Sequence, residues 1–417
     1  MMASLMSQSQ NLLSGIRVID CGTYIAGPAA AAVMSDFGAE VIKIERPPMG
    51  DPYRYLSRVP LMPVSEHLYC WILDDRNKKS LALNLGDDSA REVLLKLVAT
   101  ADVFITNYQP SLVQKFRLGF EELSAVNDRL IYAHVTGYGE AGDEAEKPGY
   151  DITAYWARSG LMGFMHNAAS EPCQSPAGFG DHPTSMTVFG GIMMGLYRRG
   201  ITGKGMKVST SLMANGAWSN ACSIQAALVG AKFHPRWTRK TSPNPTVNHY
   251  VTRDQKRFIT CCLDPSKDWA NLCRSLGRAD LIEDERFRTP QARSANAAAL
   301  IAIIDEIVGS KDMREWVHIF RENDVIWGAV PDNADLPSDP QMEANGVFAE
   351  ISPGLRTVSS PLNFAGVEKV KPSMAPEVGE HTLQILESLG YTQQTIQELI
   401  EKGAAMAGKH ATGAAAD

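Results

Sequence analysis

Among the seven cysteines (Cys21, Cys70, Cys173, Cys222, Cys261, Cys262 and Cys273) no pair has C-x-x-C spacing, and the odd, scattered set does not read as a disulfide framework. Zinc and disulfides are therefore not expected, and the thiols read as buried and reduced in a cytoplasmic protein. Basic residues are also in short supply. Forty stand against 47 acidic ones, a net charge of −7, so the basic field that phosphate binding needs is missing and a nucleic-acid partner is excluded. No apolar run reaches membrane-spanning length without Gly, Ser or charge breaking it. Residues 1–12 lack the basic flank and apolar stretch of a signal peptide, so a soluble cytoplasmic chain without a membrane partner is the expectation. Several catalytic signatures are missing too: the segment CGTYIAGP after the first strand lacks the G-x-G-x-x-G fingerprint, and no G-x-S-x-G, H-E-x-x-H or G-K-[ST] occurs. Dinucleotide dehydrogenase, serine hydrolase, zinc protease and P-loop NTPase readings lose their main support.

What is present is ample core material. The 417 residues are 44% hydrophobic and 21% charged, enough for two domains or one large α/β unit with an inserted lobe. From Gly15 the text GIRVIDCGTYIAGPAAAAVMSDFGAEVIKIERP predicts a buried strand at 17–20, an Ala-rich helix at 28–37 and a second strand at 40–45. Gly22 and Gly27 permit a tight strand-to-helix connection or a ligand's approach to the backbone. A helix AREVLLKLVAT and the strands ADVFITN and LIYAHVTGYG follow, an alternation that favours a parallel sheet covered by helices. Between about 240 and 340 the texture changes to short antiparallel strands and the helices DWANLCRSLGR, NAAALIAIIDEIVG and MREWVHIFREN, a separate α+β lobe. Strands GVFAEI and LRTVSSPLNF, then helices HTLQILESLG and TQQTIQELIEKG, lead to a small, polar ending that reads as a mobile tail from 404.

Asp181 follows Gly178-Phe179-Gly180 and precedes an apolar helical face marked by Met186, Phe189, Ile192, Met193 and Leu196. It falls at or near a helix N-terminus, where the local positive potential favours an ionised carboxylate and the preceding glycines let a substrate approach. Such a carboxylate can be a nucleophile toward an acyl group, or simply the N-cap of the helix. His182 and His166 raise a general-base reading, although catalytic groups are assembled in space rather than in sequence.

The chain resembles the class III CoA-transferases, the CaiB/BaiF family, which also contains the α-methylacyl-CoA racemases. The motifs that carry the resemblance run from Leu13 to about Gly403: GIRVIDCGTYIAGP through GAEVIKIERP, NKKSLALNL, ITNYQPSLVQKFRLGF, PGYD at 148–151, GDHPTS with TGKGMKVSTSLM, and SSPLNFAG with APEVGEHT. The resemblance implies an α/β fold with a large Rossmann-like domain built from both chain ends (13–225 and 336–403), a smaller α+β domain (226–335), a mobile tail (404–417) and an interlocked-ring homodimer. It implies Asp181 as the nucleophile, Arg46, Lys115, Phe116 and Thr136 as CoA contacts, and Tyr24, Ile25 and Tyr150 around the acyl group. Trp156, Met162, Phe164 and Met165 offer further apolar surface upstream of the nucleophile. Coenzyme A is substrate rather than cofactor, and no metal is called for. The partners implied are an acyl-CoA donor and a carboxylic acid acceptor of medium size with an apolar or aromatic body, of the 2-hydroxy acid or arylsuccinate type. Two departures stand out, Gln109 and Ser111 where the family motif usually has Arg and Gly.

Transferase and racemase share this fold, so fold does not choose between them. The racemases carry a His before the Asp of PG-x-D, and this chain has Tyr150 there. A phenol, with an ordinary pKa near ~10, is a poor base at neutral pH, which favours transfer. Two other readings stay open: an acyl-CoA racemase, and a non-catalytic subunit of a two-component transferase, against which the retained Asp181 counts.

Overall fold

Alternation of apolar side chains along short β-branched segments builds a sheet with a core on each face. The computed structural model describes residues 11–60, 62–264 and 266–408. Residues 1–10 of the stretch read against a signal peptide, and 409–417 of the expected tail, lie outside the described residues. The chain divides into two compact units, one made of residues up to 164, Gln174–Leu228 and 345 onward, the other of Met165–Cys173 and Val229–Ala344.

In the first unit the chain runs β1 (Arg17–Asp20), α1 (Ala26–Asp36), β2 (Glu40–Glu45), α2 (Tyr69–Asp75), β3 (Lys78–Leu83), α3 (Asp88–Val98) and β4 (Val103–Thr106). It continues through α4 (Pro110–Lys115), α5 (Phe120–Val126), β5 (Ile131–Thr136), the π-helical turn Asp151–Ala157, α6 (Leu161–Phe164), α7 (Asp181–Thr202), β6 (Met206–Ser211), α8 (Leu212–Ser219) and α9 (Ala221–Leu228). Val18, Val41, Val103 and Ile105 face one core with α1 and α7, while Ile19, Ile42 and Phe104 face the other with α3 and α5. Helix α3 shows why such helices form. Asp87 caps it by accepting the Ser89 amide at 2.8 Å, and Ala90, Val93, Leu94 and Leu97 make one buried stripe. Helix α1 is buried on every side, which its run of alanines permits.

The second unit has its own core. Strands β7 (His249–Val251) and β8 (Arg257–Thr260), with helices α10 (Asp268–Ser275), α11 (Pro290–Ala295), α12 (Ala297–Val308) and α13 (Met313–Glu322) and strand β9 (Trp327–Val330), enclose Tyr250, Phe258, Trp269, Phe287, Trp316 and Phe320. The sheet is antiparallel in the order β7-β8-β9. Helix α14 (Pro340–Ala344) closes this unit.

Back in the first unit, β10 (Phe348–Ser352) pairs antiparallel with β11 (Leu355–Val358), and α15 (Thr382–Ser388) and α16 (Gln393–Glu401) add Ile385, Leu386, Ile396 and Leu399 to the second core. The strand read into LRTVSSPLNF ends at Val358. The small-residue ending is not a loose tail where it begins. Ala404 and Ala405 are buried, and β12 (Ala405–Met406) pairs antiparallel with β3. Their small size, which read as polar tail, is what fits them under α15 and α16.

The large sheet runs β12-β3-β2-β1-β4-β5-β6, parallel except for β12, so the strand order is that of a doubly wound α/β fold. The order reverses direction between β1 and β4. Ligands of such sheets bind at that reversal, outside the carboxyl ends of the strands. Cys21, Cys70 and Cys273 are buried, but Cys173 and Cys222 are exposed, against the expectation that the thiols would be buried. Among the described residues no helix is long and apolar enough to cross a membrane.

Candidate active site

At the reversal a cleft of about 290 Å3 opens between the segments that follow β1, β4 and β5. Thr23, Tyr24, Ile25 and Ala26 come from the first, Asn107, Tyr108, Gln109 and Leu112 from the second, Thr136 and Gly137 from the third, and Asp181 enters from the start of α7. The predicted residues Asp181, Tyr24, Ile25, Tyr150 and Thr136 are thus brought together. Tyr24 and Tyr150 meet edge to face with centroids 5.4 Å apart.

Arg46, Lys115 and Phe116 are not in this cleft. Arg46 is exposed beside Pro47, Asn84 and Met406 in a separate depression. Lys115 is exposed at the end of α4, its Nζ 5.5 Å from the Phe116 ring centre, and Phe116 packs into the second core next to Tyr108. Trp156 and Met162 belong to the first core and Phe164 is exposed, so none of the three lines the cleft; Met165 lies in the second unit. Gln109 and Ser111 have a local use: the Gln109 amide donates to the Glu146 carbonyl at 2.9 Å and the Ser111 amide to the Glu146 carboxylate at 3.2 Å.

The loop after β1 is held by side chains at almost every backbone group. The Gly22 amide donates to Asp20 at 3.1 Å and its carbonyl accepts from Lys43 at 2.8 Å. Asn107 accepts from the Thr23 amide and donates to the Thr23 carbonyl, at 2.8 and 2.7 Å. Asp51 accepts from the Tyr24 amide at 3.1 Å, which steadies a non-glycine residue at φ +59°. Beneath the loop lies a buried ionic cluster. Lys43 reaches Asp51 at 2.8 Å and Asp20 at 3.5 Å, and Lys78 reaches Asp20 and Asp75 at 2.9 and 2.8 Å. Three carboxyls face two ammonium groups. Burial, with Asp20 and Asp51 nearby, pushes Asp75 up to about 7 despite its two lysines.

Gly180 is the N-cap of α7 and Asp181 the first helical residue, so Asp181 is not the capping group. Nor is its carboxyl held firmly ionised. Burial and the neighbouring Asp151 push it up to about 7, with Asp74 adding to the rise and only His182 opposing it. These outweigh the favourable end of the helix. The glycines before it serve the protein's own packing. A Cβ on Gly180 would stand 2.5 Å from the Tyr155 ring, and one on Gly178, at φ +76°, 2.9 Å from the His182 ring.

His182 turns away from the cleft. Its Nδ1 lies 3.0 Å from the Gly178 carbonyl and its Nε2 3.2 Å from Asp74, whose other oxygen accepts from the Tyr53 hydroxyl at 2.5 Å. Burial works against its charge, but Asp74 and the carbonyl prevail and raise it to about 9. Asp151 is buried at the start of the π-helical turn and accepts from the Gly180 amide at 3.3 Å. Sequence reading missed Asp74; the sign was a pair of acids, Asp74-Asp75, inside the apolar run YCWILDD.

A family model described as CoA-transferase family III matches residues 13–382. Among the relatives, a cinnamoyl-CoA:phenyllactate CoA-transferase of Clostridium sporogenes is 33% identical over 94% of this chain and 97% of its own length. A succinyl-CoA:glutarate CoA-transferase of Homo sapiens is 31% identical over 94% and 89%. The crystal structure of a CaiB/BaiF family protein from Brucella suis superposes with a TM-score of 0.80 at 29% identity, covering 91% of this chain and all of that one.

Proposed function

Because the chain belongs to CoA-transferase family III and is a CoA-transferase, we propose that Asp181 is its covalent nucleophile and that its acceptor is a monocarboxylic acid with an apolar or aromatic body. The observation that carries the reading is a single carboxyl, pushed up to about 7, opening into a cleft whose described lining includes Tyr24, Ile25, Leu112, Val135 and Leu212 and has no Lys or Arg.

In the proposed cycle an Asp181 oxygen attacks the donor thioester carbonyl, the C–S bond breaks, and a mixed anhydride and CoA thiolate result. The thiolate attacks the aspartyl carbonyl, releasing the donor acid and leaving a β-aspartyl-CoA thioester. An acceptor carboxylate attacks that thioester, and the returning thiolate attacks the acceptor's acyl carbonyl, which frees Asp181 as carboxylate and forms the new acyl-CoA. One thioester replaces another, so the sequence is balanced without ATP. The amides of residues 22–24 are taken up by Asp20, Asn107 and Asp51, which leaves the turn at Gly137 as the nearest backbone candidate in the lining to steady each oxyanion.

The relatives act on acids as different as phenyllactate and glutarate, so identity does not choose the acceptor. A dicarboxylate would leave its second charge without a cation in this lining, which sets the arylsuccinate type aside. A 2-hydroxy acid suits it better, with Asn107, Gln109 and Thr136 as partners for the hydroxyl and the aromatic and aliphatic side chains for the body. For coenzyme A, Thr136 lies at the reacting end, and the exposed cations Arg46 and Lys115, with Phe116, suit the distant nucleotide end. The exposed Met194, Tyr197, Trp218 and Leu228 support burial of α7 to α9 against a second copy of the chain.

The test is a mass spectrum after incubation with an aryl 2-hydroxyacyl-CoA and no acceptor. Wild type should carry CoA on Asp181, Asp181→Asn should carry nothing and lose turnover by at least ~10^3-fold, and Arg46→Ala should raise KM for acyl-CoA with kcat kept. Preference for glutarate, oxalate or formate over phenyllactate would overturn the acceptor. Rapid exchange of the α-hydrogen with deuterated water, without acceptor, would move the chain to the racemases.

A further inference from the structure

The imidazole of His182 occupies a built seat outside the cleft. Its Nδ1 faces the Gly178 carbonyl and its Nε2 the Asp74 carboxylate, at 3.0 and 3.2 Å. Both partners are acceptors only, so satisfying both ring nitrogens requires both to carry hydrogen, and the ring is then a cation. The seat admits the ring because residue 178 is glycine, as a Cβ there would lie 2.9 Å from it. Asp74 is buried on α2 and fixed from its other side by Tyr53. His182 is absent from the cleft lining, whereas Asp181, the preceding residue on the same helical turn, is part of it.

We propose that His182, held as a fixed cation by Asp74 and the Gly178 carbonyl, is a positioning residue that keeps the neighbouring Asp181 available as a carboxylate, and so sets the lower pH limit of transfer. The inference rests on Asp181 being the nucleophile. The charged and titratable groups that bear on the pair are few. Asp151 of the π-helical turn and Asp74 of α2 oppose ionisation of Asp181, and His182 alone favours it. Around Asp74 stand Tyr53 and Cys70, both pushed upward by burial and by its charge. Without His182, Asp181 would face two acids with no cation beside them. Only the ionised form attacks a thioester, so the protonated fraction is lost to the reaction. His182 is thereby excluded as a base toward substrate: its nitrogens are committed, and it acts through its neighbour.

The experiment is the pH profile of kcat/KM for the acyl-CoA donor from pH 5 to 9.5. Removing the cation raises the pKa of Asp181, so in His182→Gln the acid limb should move upward by at least half a pH unit. At pH 6 the variant should be several-fold to ten-fold below wild type, and at pH 9 within about three-fold. Asp151→Asn, which removes an acid that opposes ionisation of Asp181, should move the limb downward. A limb that stays in place while activity drops equally at every pH means a structural role only and overturns the proposal. If neither variant folds, side-chain nitrogen NMR on the wild type decides: the His182 ring should carry both protons at pH 7.5, and a neutral ring overturns the proposal. Failure of the nucleophile reading looks different, because Asp181→Asn would then keep its activity whatever His182 does.

Discussion

Two clusters of buried acids lie within the large unit, and they are balanced in opposite ways. Below the loop after β1, Asp20, Asp51 and Asp75 share Lys43 and Lys78, and every one of these side chains is fully or almost fully buried. At the start of α7, Asp181, Asp151 and Asp74 share only His182. Each cluster contains one carboxyl raised to about 7, yet Asp75 has no opening to substrate and Asp181 lines the cleft. A raised pKa therefore reports under-compensated burial, and access decides whether that becomes chemistry. In the first cluster the charges fix a backbone loop. In the second they set the state of a reacting group.

The sharpest way to break this contrast is to remove a cation from the first cluster. Lys43→Met leaves Asp20 and Asp51 short of a partner and frees the Gly22 carbonyl, so unfolding by urea should show a loss of about 3–5 kcal/mol. A loss below ~1 kcal/mol would mean that the cluster does not hold the loop.

Next in size is the pH slope of stability. Asp75 keeps its proton in the folded chain up to about pH 7, whereas unfolded it releases it near 3.8. Between those values the folded state holds more protons, so stability must fall as pH rises, by up to about 1.4 kcal/mol per pH unit for each such group. Asp75→Asn should remove one proton's share of that slope between pH 5 and 7 in thermal unfolding. Asp181, whose folded value is also about 7, supplies a second share, and His182, raised to about 9, adds its own toward the upper end of the range. An unchanged slope in Asp75→Asn would show that its proton is not retained.

The smallest effect sharpens the comparison most. Asp51→Asn keeps an oxygen for the Tyr24 and Tyr53 amides and leaves two acids against two lysines. It should cost about 1 kcal/mol or less at pH 5. Because Asp75 can then ionise, it should also flatten the slope nearly as much as Asp75→Asn does. A full slope in this variant would show that Asp51 and Asp75 titrate independently.

Much of the scaffold was readable because its signals are local. The apolar alternation of β1 and β2 and the alanine run between them are contiguous, and the strand at 40–45 matches the sheet residue for residue. Helix α2 was missed because Asp74, Asp75 and Arg76 resemble a solvated turn; they are buried because Tyr53 and His182 meet Asp74, Lys78 meets Asp75 and Asp36 meets Arg76. Asp181 was legible as a helix start and through the resemblance, but the state of its carboxyl was not. The sequence shows the favourable helix end beside it and hides Asp151 and Asp74, which only folding brings near. The same holds for Arg46 and Lys115: the family resemblance names them but cannot say that they stand apart from the cleft.

The pairing of β12 with β3 has a bearing on how the chain acquires its shape. The outer edge of β3 is satisfied by residues near the far end of the sequence: the Ala82 amide donates to Thr382, the His381 amide to the Ser80 carbonyl, and Ala405 and Met406 complete the ladder. During synthesis the β3 to β6 portion of the sheet can assemble long before those residues exist. Until they emerge, β3 is an open edge, able to pair with any other extended strand it meets. The interval between making β3 and making β12 spans the whole second unit, so a nascent chain must carry that unguarded edge while an independent core folds.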